Sequence, residues 1–350
     1  MMTRHSLENA GTKRGSGAQA PFAACWTNNA GLCAAQAAIS NRDTSLMQSV
    51  SFVGLGGMGG AIAARLANHF PLVVYDLDAA RSAAVKGDDV QIASDLTGAF
   101  TPGGALITML PDDKALRAVT LGENGAAAQL GKGGLHVNMS TVSPQLSREL
   151  AEVYEANGGA YVAAPVWGRP ISAQEGNLVC ALAGSDEAKT RARAFLEPVT
   201  KRIEDFGTAP HMANVAKVVG NFMVASTIET LGEALTVAEK HGLDRKALAD
   251  LLVSTIFDCR IYRTYGPLVA AQERAPAGFT AQLGLKDLRL VREVAAEVGV
   301  PVPFQNIIEN RLIATISKGR GQEDWSSMTW LAAEDAGLPR PLKGEVGTDD

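Results

Sequence analysis

From Met47 to about Phe206, short apolar runs alternate with stretches whose apolar residues recur at helical spacing. The runs predict strands at Ser49–Val53 (SVSFV), Leu72–Tyr75, Ala105–Met109, Leu135–Met139, Ala160–Ala163, Leu178–Ala183 and Arg202–Phe206. Helical patterns fall between several of them, at Ala61–Asn68, Asp113–Thr120 and Pro144–Ala156. This alternation predicts an α/β fold, a doubly wound and largely parallel sheet with helices on its faces. Ligands on such sheets bind beyond the carboxyl ends of the strands. After about Pro210 no good strand pattern follows. Ala213–His241 carries Val215, Val218, Phe222 and Met223 at helical spacing and predicts a long helix bridging two domains. Gly242 reads as its stop and Asp244 as the next cap. Further helices are expected over Arg245–Ser254, Asp287–Val298, Pro303–Ser317 and Trp325–Ala336, so the second domain is all-helical.

The strongest chemical signal sits between the first strand and the first helix. Val53–Gly59 reads VGLGGMG, which puts Gly54, Gly56 and Gly59 at G-x-G-x-x-G spacing around Leu55, Gly57 and Met58. In that context the spacing builds a tight turn, lets the backbone approach a pyrophosphate, and presents free N–H groups at a helix N-terminus. Spacing alone is weak in a chain with 36 glycines. The flanking strand, helix and strand favour it over a glycine-rich turn in another α/β protein. Asp76 closes the second strand, about 20 residues beyond the glycines, where an acid reads a ribose 2′-hydroxyl and repels a 2′-phosphate. NAD is therefore the expected cofactor and NADP the less expected one, with Arg81 nearby in the following helix.

The chain's 350 residues suffice for two domains with full cores. A net charge of −5 offers no basic face for nucleic acid or a membrane surface, and neither partner is expected. No apolar run approaches the roughly 20 residues of a membrane span. Cys25, Cys33, Cys180 and Cys259 form no C-x-x-C pair, so no metal site or disulfide framework is expected and a reducing cytoplasm is the simplest location. Met1–Leu46 shows no sustained period and reads as a disordered extension or a start placed upstream of the real one. A transit peptide is the alternative, since Arg4, Lys13, Arg14 and Arg42 outnumber Glu8 and Asp43. The divisions expected are thus 1–46, a dinucleotide-binding domain at 47–210, a helical domain at 211–338, and a fraying tail at 339–350.

Nicotinamide chemistry needs a proton partner in the protein. Lys217 and Asn221 stand one turn apart on one face of the bridging helix, in an otherwise apolar stretch (VAKVVGNFMVA). The plainer reading is a lysine whose stem snorkels and an asparagine facing water. Lys286 and Asp287 fall at the expected start of a later helix, either as chemistry or as a surface charge and a cap. A free lysine near pKa 10.4 is a poor base at neutral pH, and burial or a nearby cation such as Lys286 would lower it.

Ordered motifs now accumulate: GLGGMG at Gly54–Gly59, MLPDD at Met109–Asp113, NMSTVSP at Asn138–Pro144, APVWG at Ala164–Gly168, AQEGNL at Ala173–Leu178, KVVGN at Lys217–Asn221 and FTAQLGLKDL at Phe279–Leu288. On these, Met47 to about Ala336 resembles the β-hydroxyacid dehydrogenases, which include 3-hydroxyisobutyrate dehydrogenase and tartronate semialdehyde reductase. The resemblance implies a Rossmann-type domain, then an all-helical domain that also forms the subunit interface of a homodimer or homotetramer. It implies Lys217 as catalytic acid/base, Asn221 and Ser140 as substrate-holding residues, Leu110 and Pro111 as the loop passing the cofactor, Thr141 beside the nicotinamide half, and Lys286 at the rim. The implied activity is hydride transfer between NAD and a small 3-hydroxy acid, giving its semialdehyde or keto form.

One loop departs from the family. Where it has Pro-Val-Ser-Gly-Gly, this chain has Pro165-Val166-Trp167-Gly168-Arg169-Pro170. Trp167 cannot replace the hydroxyl, Gly168 still offers its N–H, and Arg169 either grips a carboxylate or faces solvent. His211, in an altered approach to Lys217, reads as an acid/base or a structural residue. These changes point to a larger or less polar substrate, with an imine reductase as the alternative. Such enzymes share the architecture but generally lack the lysine. A non-catalytic dinucleotide-binding interaction protein is the remaining alternative, against which the Lys217–Asn221 pair stands. Two motifs are decoys. Gly131-Lys132 lacks the spacing and hydroxyl residue of a phosphate loop, and the Asn138 sequon falls at a predicted buried strand end.

Overall fold

The computed structural model describes residues 50–122, 124–274 and 276–338. The readings for residues 1–46 and for the tail at 339–350 lie outside these, as do Cys25 and Cys33. In chain order the first half runs β1 (Val50–Val53), α1 (Gly57–Leu66), β2 (Leu72–Tyr75), α2 (Ala79–Ala84), β3 (Val90–Ile92), β4 (Ala105–Thr108), α3 (Asp113–Leu121), α4 (Ala126–Leu130), β5 (Leu135–Asn138), α5 (Pro144–Ala156) and β6 (Ala160–Ala163). There follow β7 (Val166–Trp167), α6 (Pro170–Gln174), β8 (Leu178–Leu182), α7 (Asp186–Leu196) and β9 (Thr200–Asp205). The second half is α8 (His211–Lys240), α9 (Arg245–Ser254), α10 (Arg260–Ala271), α11 (Ala281–Glu297), α12 (Pro303–Thr315) and α13 (Trp330–Asp335).

Six strands form one parallel sheet in the order β3-β2-β1-β4-β5-β6. Central strands are buried on both faces because helices cover both sides, and their polar residues Thr108, His136 and Asn138 bond to one another. Phe52, Ile62, Leu66 and Leu72 pack on one side, and Leu106, Leu116, Leu146 and Tyr154 on the other. Burying each such side chain contributes about 1.5–3 kcal/mol. Val53 pairs with both Tyr75 and Thr108, so β1, β2 and β4 end level with one another. The chain order reverses between β1 and β4, and a crevice opens there beyond the strand ends.

The expectation of one sheet needs correction. Strands β7, β8 and β9 form a separate three-stranded sheet, with β7 antiparallel to β8 and β8 parallel to β9. Beyond β6 the chain reaches Pro165, which has no N–H to continue the ladder. A bridge between Ala163 and Ala183 joins the two sheets.

The bridging helix α8 spans 30 residues and buries Lys217, Val218, Asn221, Ala225 and Ile228. Helix α11 begins earlier than expected. Thr280 is its N-cap, accepting from the Leu283 N–H at 3.3 Å, so Lys286 and Asp287 lie inside the helix rather than at its start. The stretch expected as one helix from Trp325 is a 3₁₀ turn at Trp325–Thr329 followed by α13. Among the described residues no helix is long and apolar enough to cross a membrane.

Candidate active site

The glycine turn comes first. Gly54 has φ +95°, and a Cβ there would collide with the Met109 carbonyl oxygen, while one at Gly59 would collide with the Gly54 oxygen. Only glycine allows β1 to run this tightly into α1. At Gly57 a Cβ would meet nothing within 4 Å, so the space before it is open. Gly56 caps α1 without a side-chain bond, which leaves first-turn N–H groups available to an anion. The groove here has a volume of about 530 Å3 and includes Met58, Asp76, Leu110 and Pro111, with Leu283 reaching in from the helical half. A dinucleotide pyrophosphate fits this cradle.

Asp76 has two tasks. Its Oδ2 accepts from the Leu55 N–H at 2.7 Å and its Oδ1 from the Asp78 N–H at 2.9 Å, while the carboxylate also lines the groove. Arg81 lies on the same rim, 3.9 Å from Asp76 and 3.4 Å from Asp78. The sequence placed Arg81 near the site, and the structure puts it directly in the groove.

Ser140, expected to hold substrate, packs beneath the cofactor loop. It is 0% exposed, and its Oγ accepts from the Leu110 N–H at 2.8 Å. Ser140 thus braces the Leu110–Pro111 loop, and it is not among the residues lining the cavity around Lys217. Thr141 presents its carbonyl to Lys286 Nζ at 2.5 Å.

A second cavity, about 460 Å3, is lined by Trp167, Gly168, Arg169, Lys217 and Asn221 together with helical-domain residues. Lys217 Nζ donates to Asn221 Oδ1 at 3.0 Å, and Asn221 Nδ2 donates to Asp287 Oδ2 at 2.5 Å. Asp287 in turn pairs with Lys286 at 2.8 Å. Lys217, Asn221, Asp287, Lys286 and Thr141 therefore form one connected chain across the two halves. Burial pushes Lys217 down to about 8, with Asp287 raising it and Lys286 lowering it. Such a lysine exchanges protons near neutral pH, as acid/base chemistry requires.

Trp167 lays its ring over Lys217, with Nζ 5.0 Å from the centroid. Gly168 has φ +146°, and a Cβ there would meet Leu178 at 2.5 Å. Arg169 is neither a free carboxylate clamp nor a bare surface charge. It pairs with Asp324 at 3.1 Å, and Asp324 also accepts from the Gly278 N–H at 3.0 Å. His211 lines neither the groove nor the second cavity. Burial, then Arg148, lowers its pKa, against a raising effect of Glu297.

Several site residues escaped the sequence reading. Asp287 was visible within FTAQLGLKDL but was left open between chemistry and a cap. Phe279 lay in the same motif. Arg260, Tyr265 and Trp325 also line the cavity, and no local pattern marked them.

Residues 49–209 match the NAD binding domain of 6-phosphogluconate dehydrogenase, and residues 212–331 match the NAD-binding domain of NADP-dependent 3-hydroxyisobutyrate dehydrogenase. The uncharacterized oxidoreductase YfjR of Bacillus subtilis is 34% identical, over 80% of this chain and 98% of its own. Mitochondrial 3-hydroxyisobutyrate dehydrogenase of Mus musculus is 30% identical, over 83% of this chain and 89% of its own. The crystal structure of 3-hydroxyisobutyrate dehydrogenase from Salmonella typhimurium superposes with a TM-score of 0.72 at 23% identity, over 81% of this chain and 99% of that one. The glycine cradle, the tuned lysine and these likenesses lead to one conclusion: the chain belongs to the β-hydroxyacid dehydrogenase family, NAD(P)-dependent oxidoreductases related to 3-hydroxyisobutyrate dehydrogenase.

Proposed function

We propose that this enzyme interconverts a 3-hydroxy acid and its semialdehyde or keto form, using NAD, with Lys217 as general acid/base. The observation that carries this reading is the buried Lys217, brought to about 8 and held by Asn221 at the cavity wall. A bound nicotinamide supplies the hydride acceptor in oxidation and the donor in reduction. In oxidation, neutral Lys217 Nζ takes the substrate hydroxyl proton. In reduction, its ammonium returns a proton to the carbonyl oxygen. Asn221 fixes Nζ and is itself fixed by Asp287. The Trp167 ring favours the ammonium form and keeps water from one side of it.

Asp76 supports NAD over NADP, since a 2′-phosphate would be placed against its carboxylate. Arg81 on the same rim is the feature that favours the phosphorylated cofactor. A homodimer or homotetramer in the cytoplasm completes the reading, supported by apolar residues such as Met223 and Val237 left exposed on α8.

The aromatic walls formed by Trp167, Tyr265, Phe279 and Trp325 favour a second reading, reduction of an apolar imine. Lys217 weighs against it. The test is an absorbance screen at the reduced-nicotinamide wavelength with 3-hydroxy acids, semialdehydes and cyclic imines, each with both cofactors. Hydroxy-acid turnover that vanishes in Lys217→Ala supports the proposal. Turnover of imines alone selects the second reading.

A further inference from the structure

We infer that Arg260 anchors a carboxylate of the substrate, and that this carboxylate is carried on a bulky apolar body. The inference rests on the hydroxy-acid reading above and names its substrate class. Among the described residues lining the cavity, the charged ones are Lys217, Arg169 and Arg260, with no carboxylate. Two of these cations are already accommodated. Arg169 is neutralised by Asp324 at 3.1 Å. Lys217 is tuned for proton exchange and bonded to Asn221.

Arg260 differs. Its guanidinium donates to the neutral Ser172 Oγ at 3.2 Å, and among the described residues no carboxylate pairs with it. A guanidinium carries five N–H donors, so this bond leaves a planar fork free to take a carboxylate side-on. Arg260 also opens α10, whose N-cap Cys259 makes no side-chain capping bond, so the positive end of the helix dipole adds to its charge.

Gly168 links the surroundings of Lys217 and Arg260. The residue before it, Trp167, covers Lys217, and a Cβ on Gly168 would lie 3.2 Å from the Cβ of Ser172, which carries Arg260. Other wall positions are filled by Val179, Val224, Ile261 and Phe279. A substrate with its hydroxyl at Lys217 and its carboxylate at Arg260 therefore lays an apolar group along these side chains. A cavity of about 460 Å3 suits such a molecule better than a short aliphatic acid.

The test measures binding apart from turnover. Full-length protein with NAD is titrated with 3-hydroxy-3-phenylpropanoate and with its methyl ester, following quenching of tryptophan fluorescence. The wild type is expected to bind the acid more tightly than the ester. Arg260→Gln is expected to weaken acid binding about tenfold to a hundredfold, as for other charge-assisted hydrogen bonds, and to leave ester binding unchanged. Arg260→Lys should fall between, since it keeps the charge and loses the fork. Equal binding of acid and ester by the wild type overturns the inference, as does a parallel loss of both in Arg260→Gln. Arg260-dependent acid binding without any oxidation keeps the anchor and removes the proposed reaction. Oxidation of the acid with a KM indifferent to Arg260→Gln keeps the reaction and removes the anchor.

Discussion

The Trp167 indole packs directly against Gly220, and a Cβ on Gly220 would meet its Cζ2 at 2.7 Å. The same indole covers Lys217, at 5.0 Å from Nζ to the ring centroid. Glycine on this turn of α8 is thus what lets the ring reach the lysine. Gly220→Ala is expected to displace the indole and lower kcat about tenfold, since cation–π contacts of this kind contribute about 0.5–2 kcal/mol. Cofactor affinity should stay unchanged because the glycine turn is untouched. Steady-state kinetics and an NADH titration check both halves of this expectation.

The pH dependence of Lys217 follows from its position. With its pKa lowered to about 8, it is neutral above that pH and an ammonium below. Oxidation should rise through about pH 8 to a plateau, and reduction should show the opposite limb. Asp287 raises the Lys217 pKa, so Asp287→Asn removes the raising influence and moves both limbs to lower pH. An unmoved limb would separate Asp287 from the proton chemistry. Lys217→Ala should cost about a hundredfold to ten-thousandfold in kcat.

Asp76, the proposed reader of the cofactor ribose, is tied to the glycine turn through the Leu55 N–H. Asp76→Asn removes the charge and keeps the shape. The KM for NAD should rise about tenfold while NADP becomes relatively better, because the repulsion of a 2′-phosphate is gone. Measured kcat/KM ratios for the two cofactors decide the matter. An equal loss for both would confine Asp76 to bracing the turn.

His136 predicts acid sensitivity of the fold itself. It lies fully buried within β5, bonded to Thr108 through Nε2 at 2.8 Å, and burial pushes it down from 6.5 to about 3. In the unfolded chain it protonates below about 6.5. Its contribution to stability is therefore whole above that pH and declines as pH falls towards 3. The loss is about 1.4 kcal/mol per pH unit, or roughly 2 kcal/mol at pH 5. Urea unfolding at pH 7 and pH 5 should show this loss, and His136→Gln should flatten it.

The elements most legible in the sequence had local causes. Pro144–Ala156 and Arg245–Ser254 are bounded as expected because Ser143 and Asp244 cap them, accepting from Leu146 and Ala247. Buried parallel strands such as β1 stand out as short apolar runs ending in glycine. The start of α11 was misplaced because Thr280 and Asp287 are both cap-type residues, and only packing decides between them. Lys217 and Asn221 were legible as a pair on one helical face. Their continuation was not, since Asn221 and Asp287 are 66 residues apart, and Arg169 and Asp324 are 155 apart. Strand β7 has two residues, too few for any period to register.

The bond from Lys286 to the Thr141 carbonyl has a kinetic meaning. Lys286 belongs to the helical half and Thr141 to the nucleotide half, and Lys286 is among the groups that lower Lys217. Lys217 and Lys286 sit in the same half, so parting the halves would leave that charge in place, but it would break the Lys286–Thr141 bond and admit water to Lys217, which raises its pKa. An open enzyme would hold a protonated, idle lysine. Closure would arm it, so the base is ready only when the crevice is shut around its reactants, which works as an interlock.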